Sequence, residues 1–326
     1  MARLEATGWL GRLTRVRVEA AAEEEIEWLH DADYVDEIRV IAERGGGELD
    51  ADTIVTERTY EAATKAVGAC MRVARWVAVG ELDAGFCAVR PPGHHALPGR
   101  GMGFCFFNNA ALAAEALIRG GAERIAIVDF DVHHGNGTQE MFYHRGDVLY
   151  ASIHQAYDTH GHGVFYPGTG TVDEIGVDAG AGKTINIPLP AGAVDADYGD
   201  ALAQVIVPAL KAWRPQVLIV SAGYDLHHSD PLAGMSLTQR GIHLIMRALT
   251  DVAGEVCGGK MVVVLEGGYN VEATAKGVEE TLRAMTGQPP AHADDMAPKV
   301  DDAVRAVVRT YLEHAIEVHR ERLGLA

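Results

Sequence analysis

No Cys-x-x-Cys pair occurs among the four cysteines, Cys70, Cys87, Cys105 and Cys257. That absence argues against a zinc knuckle, and Cys87 and Cys105 sit in apolar surroundings that suit buried reduced thiols. A disulfide framework is not expected, and the thiols point to an intracellular protein. No apolar run reaches the roughly 18 residues of a membrane span. The N-terminal stretch MARLEATGWLGRLTRVRVEA has neither an apolar h-region nor a small-residue cleavage site, so no signal peptide is expected. Basic charge is scarce. There are 28 Lys and Arg against 46 Asp and Glu, a net charge of −18. Such a surface repels phosphates at long range and favours neutral or cationic ligands over nucleic acid. Basic nuclear-targeting runs, internal repeats and low-complexity tracts are missing too. The expectation is a cytoplasmic protein with no membrane and no nucleic-acid partner.

What is present is a sizeable apolar fraction, 48% of the residues. Short apolar runs rich in β-branched residues cover 85–89, 125–130, 148–153, 184–187, 217–220 and 261–265. They do not alternate, which suits strands buried on both faces of a parallel sheet. Helical patterns at 60–79, 108–119, 197–212, 238–256 and 271–285 lie between most of them. Strands alternating with helices imply right-handed βαβ units. The fold class expected is α/β, a single-domain open parallel sheet flanked by helices, over residues 1–326. Residues 286–299, rich in Pro, Asp and Ala, read as a connector, and an apolar stripe over 300–323 reads as a docked C-terminal helix. The long stretch 155–170 carries His160, His162, Phe165 and Tyr166 and reads as a functional rim or lid.

Ligands of open parallel sheets bind beyond the carboxyl ends of the strands. Here four expected strands run into reactive residues: RPPGHHA with His94 and His95, DFDVHHG with Asp131 and His133, SAGYD ending at Asp225, and EGGYN with Tyr269. Asp131 and His133 are two residues apart, so at an extended strand end both side chains reach the same side. With Asp225 they make three protein ligands and leave a position open, the pattern of a catalytic rather than a structural metal. One imidazole and two carboxylates suit Zn²⁺, Fe²⁺ or Mn²⁺. Taken singly, an Asp-x-His, a His pair or a Gly-flanked Tyr is weak; their convergence on one end of the sheet carries the reading.

The motifs RPPGHH, GFCFFNN, DFDVHHGNGTQ, SAGYD and EGGYN, in this order, resemble those of the zinc-dependent histone deacetylase family of the arginase–deacetylase superfamily. The version is similar to the class II branch and its bacterial relatives, which include acetylpolyamine amidohydrolases. The resemblance implies that Asp131, His133 and Asp225 hold zinc. It implies that His95 is the general base, later serving the leaving amine as acid, and that His94, paired with Asp129, supports charge in the transition state. Tyr269 would donate a hydrogen bond to the scissile carbonyl. Ser152, with Asp129, matches a site for a structural K⁺. Gly103, Phe104, Tyr166, Leu232 and Gly268 match the substrate tunnel and its rim. The partner implied is an acylated lysine side chain or a small acylated amine, and because some relatives dimerise through rim loops, homo-oligomerisation stays open.

The sequence departs from the family pattern in places. Asn136 stands where many members carry an Asp beside the general base; class II members also have Asn, and a neutral partner orients the imidazole without raising its pKa as an anion would. Leu232 stands where polyamine-preferring relatives place an acidic gatekeeper, which tilts the expectation to acyl-lysine; Glu57 or Asp52 are the rim carboxylates that could compensate. The family's usual first strand, ending in His-Pro-Glu-Arg-Pro, has no counterpart before Arg3 and Leu4. A binuclear arginase-like centre would need carboxylates at Gly135 and His227, and a non-catalytic acyl-amine binding protein is the other rival reading.

Overall fold

The six apolar runs become the six strands of one fully parallel sheet, as the computed structural model of the chain shows. The structure described covers residues 1–293 and 295–324; Asp294, inside the segment read as a connector, and the last two residues lie outside it.

In chain order the elements begin with α1 (Ala2–Ala6), α2 (Glu23–Ile26) and α3 (Ala32–Glu43). A small antiparallel pair, β1 (Gly46–Glu48) and β2 (Ile54–Thr56), follows. Then come α4 (Thr59–Val79), β3 (Ala84–Cys87), α5 (Asn109–Arg119), β4 (Ile125–Asp129), α6 (Asn136–Phe142), β5 (Val148–Tyr157) and β6 (Thr184–Pro190). The second half holds α7 (Asp195–Ala201), a π-helical stretch at Leu202–Ile206, α8 (Val207–Trp213), β7 (Val217–Ala222), α9 (Gln239–Cys257), β8 (Met261–Leu265), α10 (Val271–Met285) and α11 (Asp302–Leu323). The sheet order is β3-β8-β7-β4-β5-β6.

The continuous apolar runs are explained by burial on both faces. In β4, Ala126 and Val128 join the core that includes Ile245 and Leu249 of α9 and Leu312 of α11. The alternate residues, Ile125 and Ile127, join the core that includes Val73 of α4 and Leu117 of α5. Each fully buried aliphatic side chain of this kind contributes about 1.5–3 kcal/mol, so a polar residue inside one of these strands would be costly on either face.

Two differences from the sequence reading concern boundaries. β5 runs on to Tyr157, so the rim loop begins at Asp158. The helical stretch expected at 197–212 is interrupted by the π-helical turn. Helix α3 and the β1–β2 pair were not anticipated. Both are too short, or too mixed in composition, for a clear period.

Candidate functional site

All six strands are parallel, so the carboxyl ends of β3, β8, β7 and β4, which are neighbours in that order, open on one side of the sheet. Asp129 is the last residue of β4 and is fully buried. Past it the chain is held by its own carboxylates. Asp131 N–H donates to Asp129 Oδ1 (3.1 Å), and His133 N–H donates to Asp131 Oδ1 (2.9 Å). From β7, Asp225 Oδ1 accepts Val132 N–H (3.1 Å), and Gly267 N–H past β8 donates to Asp131 Oδ2 (2.7 Å). A Cβ on Gly267 would stand 2.2 Å from Asp225 Oδ2 and 2.6 Å from Asp131 Oδ2, so only glycine lets these strand ends close up.

The three residues read as metal ligands converge. His133 Nδ1 lies 3.1 Å from Asp131 Oδ1 and 3.2 Å from Asp225 Oδ2. One donor atom from each lies within 4.8 Å of the others. Asp225 Oδ2 is buried and faces His133 Nδ1 but accepts no well-directed hydrogen bond, an arrangement that a cation between them would satisfy. Burial works to lower the His133 pKa, and the adjoining Asp131 and Asp225 outweigh it and push it up to about 10. Burial and the neighbouring Asp131 push Asp225 up to about 6. Two buried carboxylates facing one imidazole thus call for positive charge between them, and the donor set fits a borderline divalent ion.

The two histidines of the β3 loop differ sharply in electrostatics although their rings are 4.0 Å apart. His94 Nδ1 bonds Asp129 Oδ2 (3.0 Å), and its Nε2 is 3.7 Å from Asp131 Oδ1. Burial opposes its charge, but Asp131 and Asp129 win and raise its pKa to about 10. His95 pairs instead with a neutral group, Asn136 Oδ1 (2.8 Å). Burial, with positive charge on His94 and His133 beside it, drives its pKa well down. Their surroundings thus favour charge on His94 and disfavour it on His95.

Tyr269 is held from behind. Asp230 Oδ2 accepts Tyr269 N–H (2.8 Å) and Asn270 N–H (3.1 Å), and Asn270 caps α10 by accepting Ala273 N–H (3.1 Å). Burial and the carboxylates of Asp131 and Asp225 raise the phenol far above its ordinary pKa, so it stays a proton donor. Phe104 packs edge-on against Tyr269 with ring centroids 5.7 Å apart, Tyr166 edge-on against His95 at 5.2 Å, and Phe165 stacks on His133 at 5.2 Å. Gly103 and Phe104 both have positive φ, 55° and 64°. A Cβ on Gly103 would meet His95 Cδ2 at 2.5 Å. Gly268 takes φ 129° directly before Tyr269.

The remaining predicted residues lie further out. Strand register sets Ser152 opposite Asp129, and its hydroxyl pairs with His154 Nδ1 (2.9 Å). Leu232 is 48% exposed, with its N–H on Asp230 Oδ1. Asp52 is exposed, yet it and Asp50 are close enough to raise the Tyr166 pKa after the larger effect of burial.

Two residues were missed as parts of the site. Glu266 is fully buried and binds Gly93 N–H (2.7 Å), His94 N–H (3.2 Å) and Ser221 Oγ (3.1 Å). Burial pushes its pKa up to about 7. A lone acid ending an apolar strand was the available signal. Asp230 gave none, because an Asp before Pro in a loop reads as a turn.

Comparison with known proteins gives the family. The model of the histone deacetylase domain matches residues 1–285. Histone deacetylase 15 of Arabidopsis thaliana is 38% identical over 281 residues, covering 86% of this chain but 50% of that protein. The histone deacetylase-like amidohydrolase of Pseudomonas aeruginosa is 40% identical over 269 residues, 82% of this chain and 69% of its own length. A probable deacetylase of Archaeoglobus fulgidus is 41% identical over 252 residues, 77% of this chain and 68% of its own length. The crystal structure of the HDA15 HD domain superposes with a TM-score of 0.87 at 34% identity, over 99% of this chain and 87% of that one. With its parallel α/β sheet and these relatives, the chain belongs to the histone deacetylase family within the arginase–deacetylase superfamily.

Proposed function

We propose that the chain hydrolyses an acyl amide, with an Nε-acyl-lysine side chain as substrate, and that all its residues serve one catalytic domain. The observation that carries this reading is the buried triad of Asp131, His133 and Asp225, flanked by His95 fixed on Asn136 and by Tyr269 held by Asp230. The triad would hold Zn²⁺, with Fe²⁺ or Mn²⁺ as alternatives, and Asp129 with Ser152 would hold K⁺. A bound divalent ion lowers the pKa of water and polarises a carbonyl.

The protein's own groups do the rest. His95 is the base: Nδ1–H is fixed on Asn136, so Nε2 takes the proton of the attacking water and returns it to the leaving amine. His94, paired with Asp129, supports negative charge as it develops on the carbonyl oxygen. Tyr269 donates its phenolic hydrogen to that oxygen. Phe104, Tyr166 and the glycine at 103 line a narrow apolar approach that accepts the aliphatic stem of an acylated lysine, which is neutral. Water adds to the carbonyl carbon, the C–N bond breaks, and carboxylate and amine leave.

A second reading, an acetylpolyamine amidohydrolase, is favoured by one observation: Asp50 and Asp52 stand within electrostatic reach of Tyr166. The deciding experiment measures acetate release by Zn²⁺-loaded protein from an acetyl-lysine peptide and from acetylputrescine. Faster turnover of the peptide supports the first reading, and faster turnover of the polyamine supports the second. No release from either, nor from a longer acyl-lysine, would overturn both. No helix among the described residues is long and apolar enough to cross a membrane.

A further inference from the structure

One other cluster among the described residues brings its donor atoms as close as those of the active-site triad: His227, His228 and Asp295. We propose that these residues form a second divalent transition-metal site, of the Zn²⁺ class, separate from the catalytic one.

The two histidines are adjacent in sequence, and their rings lie side by side, 4.3 Å apart and inclined by 33°. Both direct Nε2 at one carboxylate. His227 Nε2 is 2.8 Å from Asp295 Oδ2, and His228 Nε2 is 3.3 Å from Asp295 Oδ1. Ligands bonded at 2.0–2.1 Å around tetrahedral zinc sit about 3.4 Å apart, so the donors already have nearly the required spacing. His227 is 5% exposed, and the side chains of His228 and Asp295 are 18% and 23% exposed. That is sheltered enough to hold an ion and open enough to admit one.

The cluster lines a cavity of about 340 Å³ together with Gln239, Asn270 and His292. This leaves room for water as a further ligand. The outer contacts fix the ring and the carboxylate in place. His227 Nδ1 faces Ser229 Oγ (2.9 Å) and accepts Ser229 N–H (3.2 Å), and Asp295 Oδ2 accepts Gln239 N–H (2.8 Å); an ion on Nε2 would shift the ring proton to Nδ1, where Ser229 Oγ is the acceptor. His227 occupies the position where a binuclear arginase-like centre would have a carboxylate, but its ring turns away to Asp295. It therefore joins a cluster of its own rather than enlarging the catalytic one.

The chemistry has a structural meaning. Asp295 belongs to the segment between α10 and α11, which has neither helix nor strand among its described residues. A metal there would staple that segment to the loop after β7. Ser229 Oγ also accepts from Asn270 Nδ2 (2.9 Å), so the staple lies two hydrogen bonds from the residue that follows Tyr269.

The test counts metal in the whole chain, stripped with chelator, reloaded with excess Zn²⁺ and passed through gel filtration. Two equivalents are expected in the native protein. One is expected in Asp295→Asn, His228→Ala and His228→Gln, and one, the other, in Asp131→Ala. Zn²⁺ should raise the melting temperature of Asp131→Ala but not of Asp131→Ala combined with Asp295→Asn. Circular dichroism checks that each variant folds, and His228→Gln preserves a hydrogen-bonding side chain at the clasp. A native protein that keeps a single equivalent, lost in Asp131→Ala, would overturn the proposal. So would two equivalents left unchanged by all three variants of the cluster. Neither result touches the reading of the active site, since acetate release is measured separately.

Discussion

His95 directs Nδ1 at the side-chain oxygen of Asn136, 2.8 Å away, and this fixes which ring nitrogen is basic. The partner is neutral, and burial with the neighbouring histidines outweighs the opposing pull of Asn136 and Asp131 and sets the low pKa. Asn136→Asp supplies an anion in its place. The base works only when unprotonated, so raising its pKa moves the acid limb of kcat/KM to higher pH, by about one unit or more. A pH–rate profile checks this. An unmoved limb would remove His95 from the role of base.

Tyr269→Phe should retain its metal and its fold and lose about a hundred- to a thousand-fold in kcat, the usual cost of one oxyanion donor. Metal content measured beside turnover separates this outcome from collapse of the site. Near-normal turnover would sink the assigned role.

Asp225→Ala removes the carboxylate whose Oδ2 faces His133 without a well-directed hydrogen bond. Loss of the ion held by Asp131 and His133, together with loss of activity, is expected. Since a second ion is proposed elsewhere, the count should fall by one rather than to zero. Full occupancy would mean the ligand set is wrong.

Leu232→Glu places a carboxylate on the rim beside Asp230. The ratio of kcat/KM for acetylputrescine over acetyl-lysine peptide should rise several-fold, on the order of the 1 kcal/mol of an exposed ion pair. The converse change, Asp52→Asn, should lower it. If Asp52→Asn alone moves the ratio, the β1–β2 loop governs charge selection.

Acid lability should trace in part to His30. Its Nδ1 donates to Leu97 O (3.0 Å), its Nε2 accepts Asn108 N–H (3.0 Å), and burial lowers its pKa to about 4. The unfolded chain takes up this proton near 6.5 and the folded one only near 4. The stabilisation is whole above pH 6.5 and declines as pH falls toward 4, by up to about 3 kcal/mol. Thermal melts of His30→Gln across that window should have a shallower slope. The slope should not vanish, because burial also holds His134 and His154 neutral.

The sheet was legible because parallel strands buried on both faces leave unbroken apolar runs, and Ile125–Asp129 is such a run. The triad was legible because its members stand at strand ends. Helix α3 was not, since its buried Tyr34, Val35, Ile38 and Ala42 make a short stripe among charges. The bracing by Glu266 and Asp230 escaped for another reason. Each acts through backbone N–H groups of segments far away in the chain, and backbone partners leave no trace in residue identity.

The placement of β3, β8, β7 and β4 side by side has a consequence for how this chain can vary. The reactive groups crowd over these four strands, while β5 and β6 form the remaining edge of the sheet and α11 docks on β6. The segments that frame the mouth, 158–170 and 229–237, take part in no strand pairing of β3, β8, β7 and β4, yet each carries a residue that braces the site: Phe165 and Tyr166 against His133 and His95, and Asp230 behind Tyr269. Substrate preference can therefore change through the other residues of these segments only while those anchors are kept.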